Sequence, residues 1–134
     1  MQGSCLCGGV RYRIAGPPGE MWHCHCTDCR KTHGAAFSTS VQVARGNFSV
    51  IAGESLLRAY AAESGTRRRF CGTCGSKIAS TITSEPDSVY VMAATLDTRL
   101  EATAVAHIFV RSKAPWYEIR DGLPQHQTYP GHED

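Results

Sequence analysis

The sequence has no apolar run approaching the ~18 residues that a membrane-spanning helix needs. It also lacks an excess of one charge. Fourteen Lys and Arg face twelve Asp and Glu, a formal net charge of +2, too small to imply a nucleic-acid partner by itself. Met1 to Gly9 carry neither the basic start nor the apolar stretch of a secretory signal, so a cytoplasmic protein is expected. There is no internal repeat, low-complexity tract or linker. At 134 residues the chain suits one domain and leaves little room for two. With 42% hydrophobic and 19% charged residues the composition is globular rather than disordered.

What the chain has in excess is cysteine: seven residues, an odd number, with no export signal. That combination weakens a disulfide framework and points to metal or redox chemistry in a reducing compartment. The cysteines fall into three clusters. Cys5 and Cys7 form C-x-C, Cys24, Cys26 and Cys29 form C-x-C-x2-C, and Cys71 and Cys74 form C-x2-C. The spacing suggests a division into four and three. The two outer pairs supply four thiolates, enough for one closed tetrahedral zinc site, and the middle cluster supplies three and leaves a coordination position open, as catalytic zinc sites do. Residues i and i+2 of a strand share a face, so each C-x-C pair can reach one ion. The Cys71-Gly72-Thr73-Cys74-Gly75 turn resembles a zinc knuckle, its glycines permitting a tight backbone.

Other readings stay open. Iron–sulfur binding, free thiols or disulfides could use the outer pairs. The middle cluster could be a second closed site, because a helical i, i+4 step would bring His33 to Cys29 as a fourth ligand. His23 and His25 alternate with the cysteines and would face away from a metal in a strand, and His25 is expected beside the ion or on the substrate side. His107, in an apolar strand, reads as a core histidine before a catalytic one. Trp116 and Tyr117 read as wall or core. Arg30, Lys31 and Arg67 to Arg69 could hold substrate carboxylates, but solvated or charge-neutralising roles are favoured.

Short apolar stretches separated by turn signals argue a mainly β chain. Val10, Tyr12 and Ile14 alternate with Arg11 and Arg13. Further strands are expected at Met21 to Cys26, around Val41 and Val43, and at Phe48 to Ile51 and Leu56 to Ala61. Others are expected at Arg67 to Phe70, Ser76 to Ile82, Val89 to Ala94 and Ala106 to Val110. Thr27 is read as the cap of a short helix through Lys31, ended by Gly34. Residues 125–134 are read as a polar, mobile tail.

Four stretches carry a resemblance: Gly3-Ser4-Cys5-Leu6-Cys7-Gly8-Gly9-Val10, Cys24-His25-Cys26-Thr27-Asp28-Cys29-Arg30-Lys31, Arg69-Phe70-Cys71-Gly72-Thr73-Cys74-Gly75-Ser76, and the weaker His107-Ile108-Phe109-Val110 with Lys113-Ala114-Pro115-Trp116. In these the chain resembles the glutathione-dependent formaldehyde-activating enzyme family, which includes centromere protein V type domains. The resemblance implies a single β-tent-like domain of short antiparallel strands over residues 1–124. It implies a structural zinc on Cys5, Cys7, Cys71 and Cys74, and a catalytic zinc on Cys24, Cys26 and Cys29. It also implies a carbon–sulfur lyase acting on a thiol–aldehyde adduct, with glutathione and formaldehyde as small-molecule partners. The small charge and the lack of a long apolar run lead to the expectation of no nucleic-acid and no membrane partner. A homo-oligomer is compatible with it. The alternative is a non-catalytic module with two structural zinc sites. A redox enzyme using the middle thiols directly is the third reading.

Overall fold

The computed structural model describes residues 1–131, so the last residues of the expected tail lie outside the described residues. Ten strands and one α-helix follow the chain: β1 (Gln2–Ser4), β2 (Arg11–Ile14), β3 (Met21–Cys24), α1 (Thr27–His33), β4 (Ser38–Ala44), β5 (Phe48–Ala52), β6 (Leu57–Ala61), β7 (Thr66–Cys71), β8 (Lys77–Ile82), β9 (Ser88–Met92) and β10 (Ala106–Ile108). Short 3-10 turns stand at Arg45–Asn47, Glu54–Leu56, Ala93–Thr95 and Val110–Ser112. The fold is mainly β, as expected. It divides into two compact units, one of Met1–Gly19 and Val41–Glu101, the other of Glu20–Ser40 and Ala102 onward.

The first unit holds a sheet in the order β1-β2-β5 and a run of strands in the order β4-β9-β8-β7-β6, which includes the second half of β4. The registered pairs β1–β2, β2–β5, β6–β7, β7–β8 and β8–β9 are antiparallel. Alternation in β2 works as its sequence predicts: Tyr12 and Ile14 are buried, Arg11 and Arg13 exposed. Val10, Val41, Val43, Ile78, Val89 and Val91 complete the apolar core. Tyr12 shares a 2.6 Å hydrogen bond with Thr95 Oγ1, and burial pushes its hydroxyl up to about 12. Opposite it on β1 stands Gly3, where a Cβ would lie 2.2 Å from the Tyr12 ring and hydroxyl. Only glycine fits that contact.

The second unit holds β3, α1, the start of β4 and β10, with β3 between β10 and β4. Here β10 runs parallel to β3, placing His107 beside His23 and Ile108 beside Cys24. Parallel pairing with aligned residues puts the two imidazoles on the same side of the sheet. The other edge of β10 is taken by Pro124 and the start of the segment expected to be mobile. His107 N donates to Pro124 O at 2.9 Å, His126 N to His107 O at 2.9 Å and Val110 N to His126 O at 3.0 Å. Tyr129 packs on Phe109 at 4.9 Å between ring centroids. The described part of the tail is therefore built into this unit by backbone hydrogen bonds, which composition does not reveal.

Several boundaries differ from the sequence reading: β3 stops at Cys24 and not Cys26, α1 runs on to His33 and not only to Lys31, and β9 stops at Met92 and not Ala94. The residue that caps α1 is Cys26, not Thr27: its side chain accepts from Cys29 N, while Gly34, left-handed at φ 60°, closes the other end by donating to Arg30 O. The expected strand Ala106 to Val110 stops at Ile108, because Phe109 takes a left-handed conformation at φ 56° and starts a 3-10 turn.

Candidate metal centres

In the first unit, β1 leads into Cys5 and β7 ends at Cys71, so each strand delivers one thiol and the turn that follows delivers the second. Cys5, Cys7, Cys71 and Cys74 offer four sulfurs all within 4.8 Å of one another. Cys5 and Cys71 are buried, while Cys7 lies at the surface. The Cys5–Cys7 separation is 3.5 Å and the Cys7–Cys71 separation 3.9 Å. A tetrahedron of ~2.3 Å zinc–sulfur bonds has edges of about 3.8 Å, so the measured spacings fit zinc. Polar groups turn toward the sulfurs: Val10 N donates to Cys5 Sγ at 3.2 Å, and Ser76 Oγ lies 3.2 Å from Cys74 Sγ. The Ser76 hydroxyl, then backbone amides of Ser76 and Cys7, bring Cys74 down to about 5. Although the Gly9 amide pulls Cys7 down, its hydrogen bond to Cys5 and burial push it up to about 11. Four thiols this close resist ionising together, and a dication removes that resistance.

The second unit gathers Cys24, Cys26 and Cys29, again with all sulfurs within 4.8 Å. Cys24 closes β3, Cys26 caps α1 and Cys29 lies in the first turn, its amide donating to Cys26 Sγ at 3.3 Å. Hydrogen bonds to Cys26 and Cys29, with desolvation, push the Cys24 thiol well up. For Cys26 the Cys24 contact lowers the thiol, but Cys29 and burial prevail and raise it. Both cysteine groups could hold metal ions, and their donor chemistry suits zinc. Among the described residues no other histidine, cysteine or carboxylate donor, His33 included, comes within 4.8 Å of all three sulfurs.

Two of the histidines around this loop are buried and joined to each other. His25 lies beyond the end of β3 yet is fully buried. Its Nε2 and His107 Nδ1 share a 2.7 Å hydrogen bond, and His107 Nε2 lies 2.7 Å from Asp121 Oδ2. The hydrogen bond from His107 holds the Asp121 carboxyl below its ordinary value, so the carboxylate accepts and His107 donates from Nε2. His107 Nδ1 then accepts from His25 Nε2, which leaves His25 Nδ1 as a buried lone pair without a hydrogen-bond partner. Desolvation, then the charge of His107, brings His25 down to about 4. His107 is thus a satisfied core histidine, and Asp121 is the partner that sequence reading missed. Its turn signal at Asp121-Gly122 is visible, but nothing in local spacing ties it to His107.

The arginines follow the solvated reading where partners are seen. Arg69 pairs with exposed Glu54 at 3.3 Å. Arg30, next to Cys29, is half-buried, with its Nε buried and lacking a hydrogen-bond partner. Trp116 is 71% exposed, so it belongs to no core. Tyr117 lies against Phe37 at 5.4 Å between ring centroids, as the wall reading expected.

Comparison with known proteins gives one family. The model of the glutathione-dependent formaldehyde-activating enzyme family, GFA, matches residues 1–112. A protein of Halomonas elongata named "Putative glutathione-dependent formaldehyde-activating enzyme" is 29% identical, over 100% of this chain and 89% of its own length. The crystal structure of a Rhodobacter sphaeroides protein has a similar fold, with a TM-score of 0.64 at 23% identity, covering 75% of this chain and 92% of that one.

Proposed function

Because the chain belongs to the glutathione-dependent formaldehyde-activating enzyme family, we propose that it is a carbon–sulfur lyase that makes and breaks thiol–aldehyde adducts, as an S-(hydroxymethyl)glutathione synthase does. Its substrates are a small thiol such as glutathione and an aldehyde such as formaldehyde. In the synthetic direction one bond forms between the thiol sulfur and the carbonyl carbon, and the thiol proton ends on the carbonyl oxygen. No electrons are exchanged with a carrier. The cytoplasm, where thiols stay reduced, suits such a substrate.

In this reading Cys5, Cys7, Cys71 and Cys74 hold a structural zinc, and Cys24, Cys26 and Cys29 hold a catalytic one. A zinc ion so held supplies Lewis acidity that lowers the pKa of a thiol or polarises a carbonyl. The three sulfurs act as ligands rather than nucleophiles. Arg30 offsets the negative charge that three thiolates leave around a dication. The hydrogen-bonded chain from Asp121 through His107 holds His25, the residue between two ligands, in one orientation and one tautomer.

The observation that carries the proposal is the gathering of the Cys24, Cys26 and Cys29 sulfurs within 4.8 Å of one another, a group of three separate from the group of four. The test follows the exchange between glutathione, labelled formaldehyde and their adduct by NMR. The zinc-loaded wild type is expected to accelerate it, and Cys29→Ala to lower the rate by about a hundredfold or more with its circular dichroism unchanged. If the zinc-loaded wild type leaves exchange at the uncatalysed rate, the lyase reading fails and a module with two structural sites takes its place.

A further inference from the structure

A third group of donors stands apart from the seven thiols. His23, His107 and Asp121 each offer a ligand atom within 4.8 Å of the other two. The pairing of β10 with β3 brings the two rings side by side, with centroids 4.8 Å apart. Asp121 comes from the turn beyond them and is 42% exposed in its side chain, so the group is open to solvent on the carboxylate side.

Each member also makes a further hydrogen bond to the protein. His23 Nδ1 lies 2.7 Å from Thr39 Oγ1. His107 Nδ1 lies 2.7 Å from His25 Nε2. Asp121 Oδ1 accepts from Leu123 N at 3.0 Å, leaving Oδ2 for the site. Metal-binding histidines characteristically give their second ring nitrogen to an oxygen or nitrogen of the protein, which fixes ring orientation and tautomer.

From this geometry we propose that His23, His107 and Asp121 form a third metal site, for a divalent first-row transition ion such as Co²⁺ or Zn²⁺. Two imidazoles and one carboxylate with positions left to solvent suit such ions, whereas Mg²⁺ and Ca²⁺ call for oxygen ligands throughout. The ion takes the place of the proton shared by His107 Nε2 and Asp121 Oδ2. The proton displaced from His107 Nε2 is released, the His25 Nε2 proton passes to His107 Nδ1, and His25 takes one up at Nδ1, so each ring still carries one proton. The chain thereby carries two soft sulfur centres and one harder nitrogen–oxygen centre. The third is joined to the three-thiol loop by the hydrogen bond between His107 and His25, and His23 directly precedes Cys24 in β3. It rests on residues outside both cysteine groups and does not depend on the lyase reading.

The test is a Co²⁺ titration of full-length protein already carrying zinc at its cysteines. One further equivalent of Co²⁺ is expected to bind, with weak visible absorption and without the intense near-ultraviolet band of cobalt–thiolate bonds. Asp121→Ala and His23→Ala are expected to weaken that equivalent by at least tenfold while zinc content and circular dichroism stay as in the wild type. Thr39→Val, which removes only the brace on His23, is expected to weaken it by about tenfold. Asp121 is exposed, so its variant stays folded and keeps the test decisive where a His107 variant would not. Failure of the wild type to bind Co²⁺ beyond displacing zinc from sulfur overturns the proposal, as does undiminished binding in Asp121→Ala.

Discussion

Cys71 is fully buried at the end of β7, whereas Cys26 is half-buried at the head of α1, and serine at the two positions is expected to act differently. A structural zinc contributes about 10–16 kcal/mol in small domains, against a total domain stability of about 5–15 kcal/mol. Cys71→Ser is therefore expected to be unfolded or insoluble, and Cys26→Ser folded but inactive. Circular dichroism showing Cys71→Ser as stable as wild type would contradict the structural role. Tyr12 gives an alkaline prediction. Its hydroxyl ionises near 10 in the unfolded chain but is held to about 12 in the fold. Between these values the folded state binds more protons, so its contribution is whole below pH 10 and lost as pH rises through 12. About 2–3 kcal/mol is expected to go across that window, and Tyr12→Phe to flatten the slope, read by urea unfolding at each pH. At Gly3 an alanine would drive its methyl into Tyr12 and to 2.6 Å from Thr95 O. Gly3→Ala is expected to cost about 2–3 kcal/mol in urea melts.

At the scale of elements, the sequence shows strands well where one face alone is buried. The Tyr12/Ile14 alternation marks β2, and the valines mark β9, because a half-buried strand has a period that composition displays. Ends are harder. Thr27 looks like the cap of α1, and Cys26 takes the position because its sulfur accepts the Cys29 amide, a preference that belongs to this site and not to helices at large. Strand β10 stops short because Phe109 turns left-handed, and no residue type at that point announces it. Gly34, by contrast, is legible as a helix stop, and its φ of 60° carries a test. A Cβ there meets open space, so Gly34→Ala is expected to cost only the left-handed backbone, about 1 kcal/mol, with no loss of bound zinc by elemental analysis.

Across the whole molecule, the grouping of the thiols into four and three was legible because each cluster is written in short spacings, and the structure gathers the same four and the same three sulfurs. Asp121 was illegible for the opposite reason: its partners His107 and His23 reach it through strand pairing and a turn, and no local spacing encodes that. Stepwise chelation is expected to respect the division. Removing the metal of the three-thiol group is expected to abolish turnover while far-ultraviolet circular dichroism persists. Removing the metal of the four-thiol group is expected to unfold the first unit, and loss of both signals together would contradict the assignment. The four-thiol centre also brings together Cys7 and Cys71, which stand 64 positions apart in the chain, and this has a consequence for biosynthesis. At about 5–20 residues per second, the ribosome delivers Cys5, Cys7 and the three middle cysteines several seconds before Cys71. Five thiols of the nascent chain can meanwhile close a tetrahedron in the wrong combination. Correct maturation then depends on ligand exchange, so refolding in buffered, exchangeable zinc is expected to give a higher yield than refolding in excess free zinc.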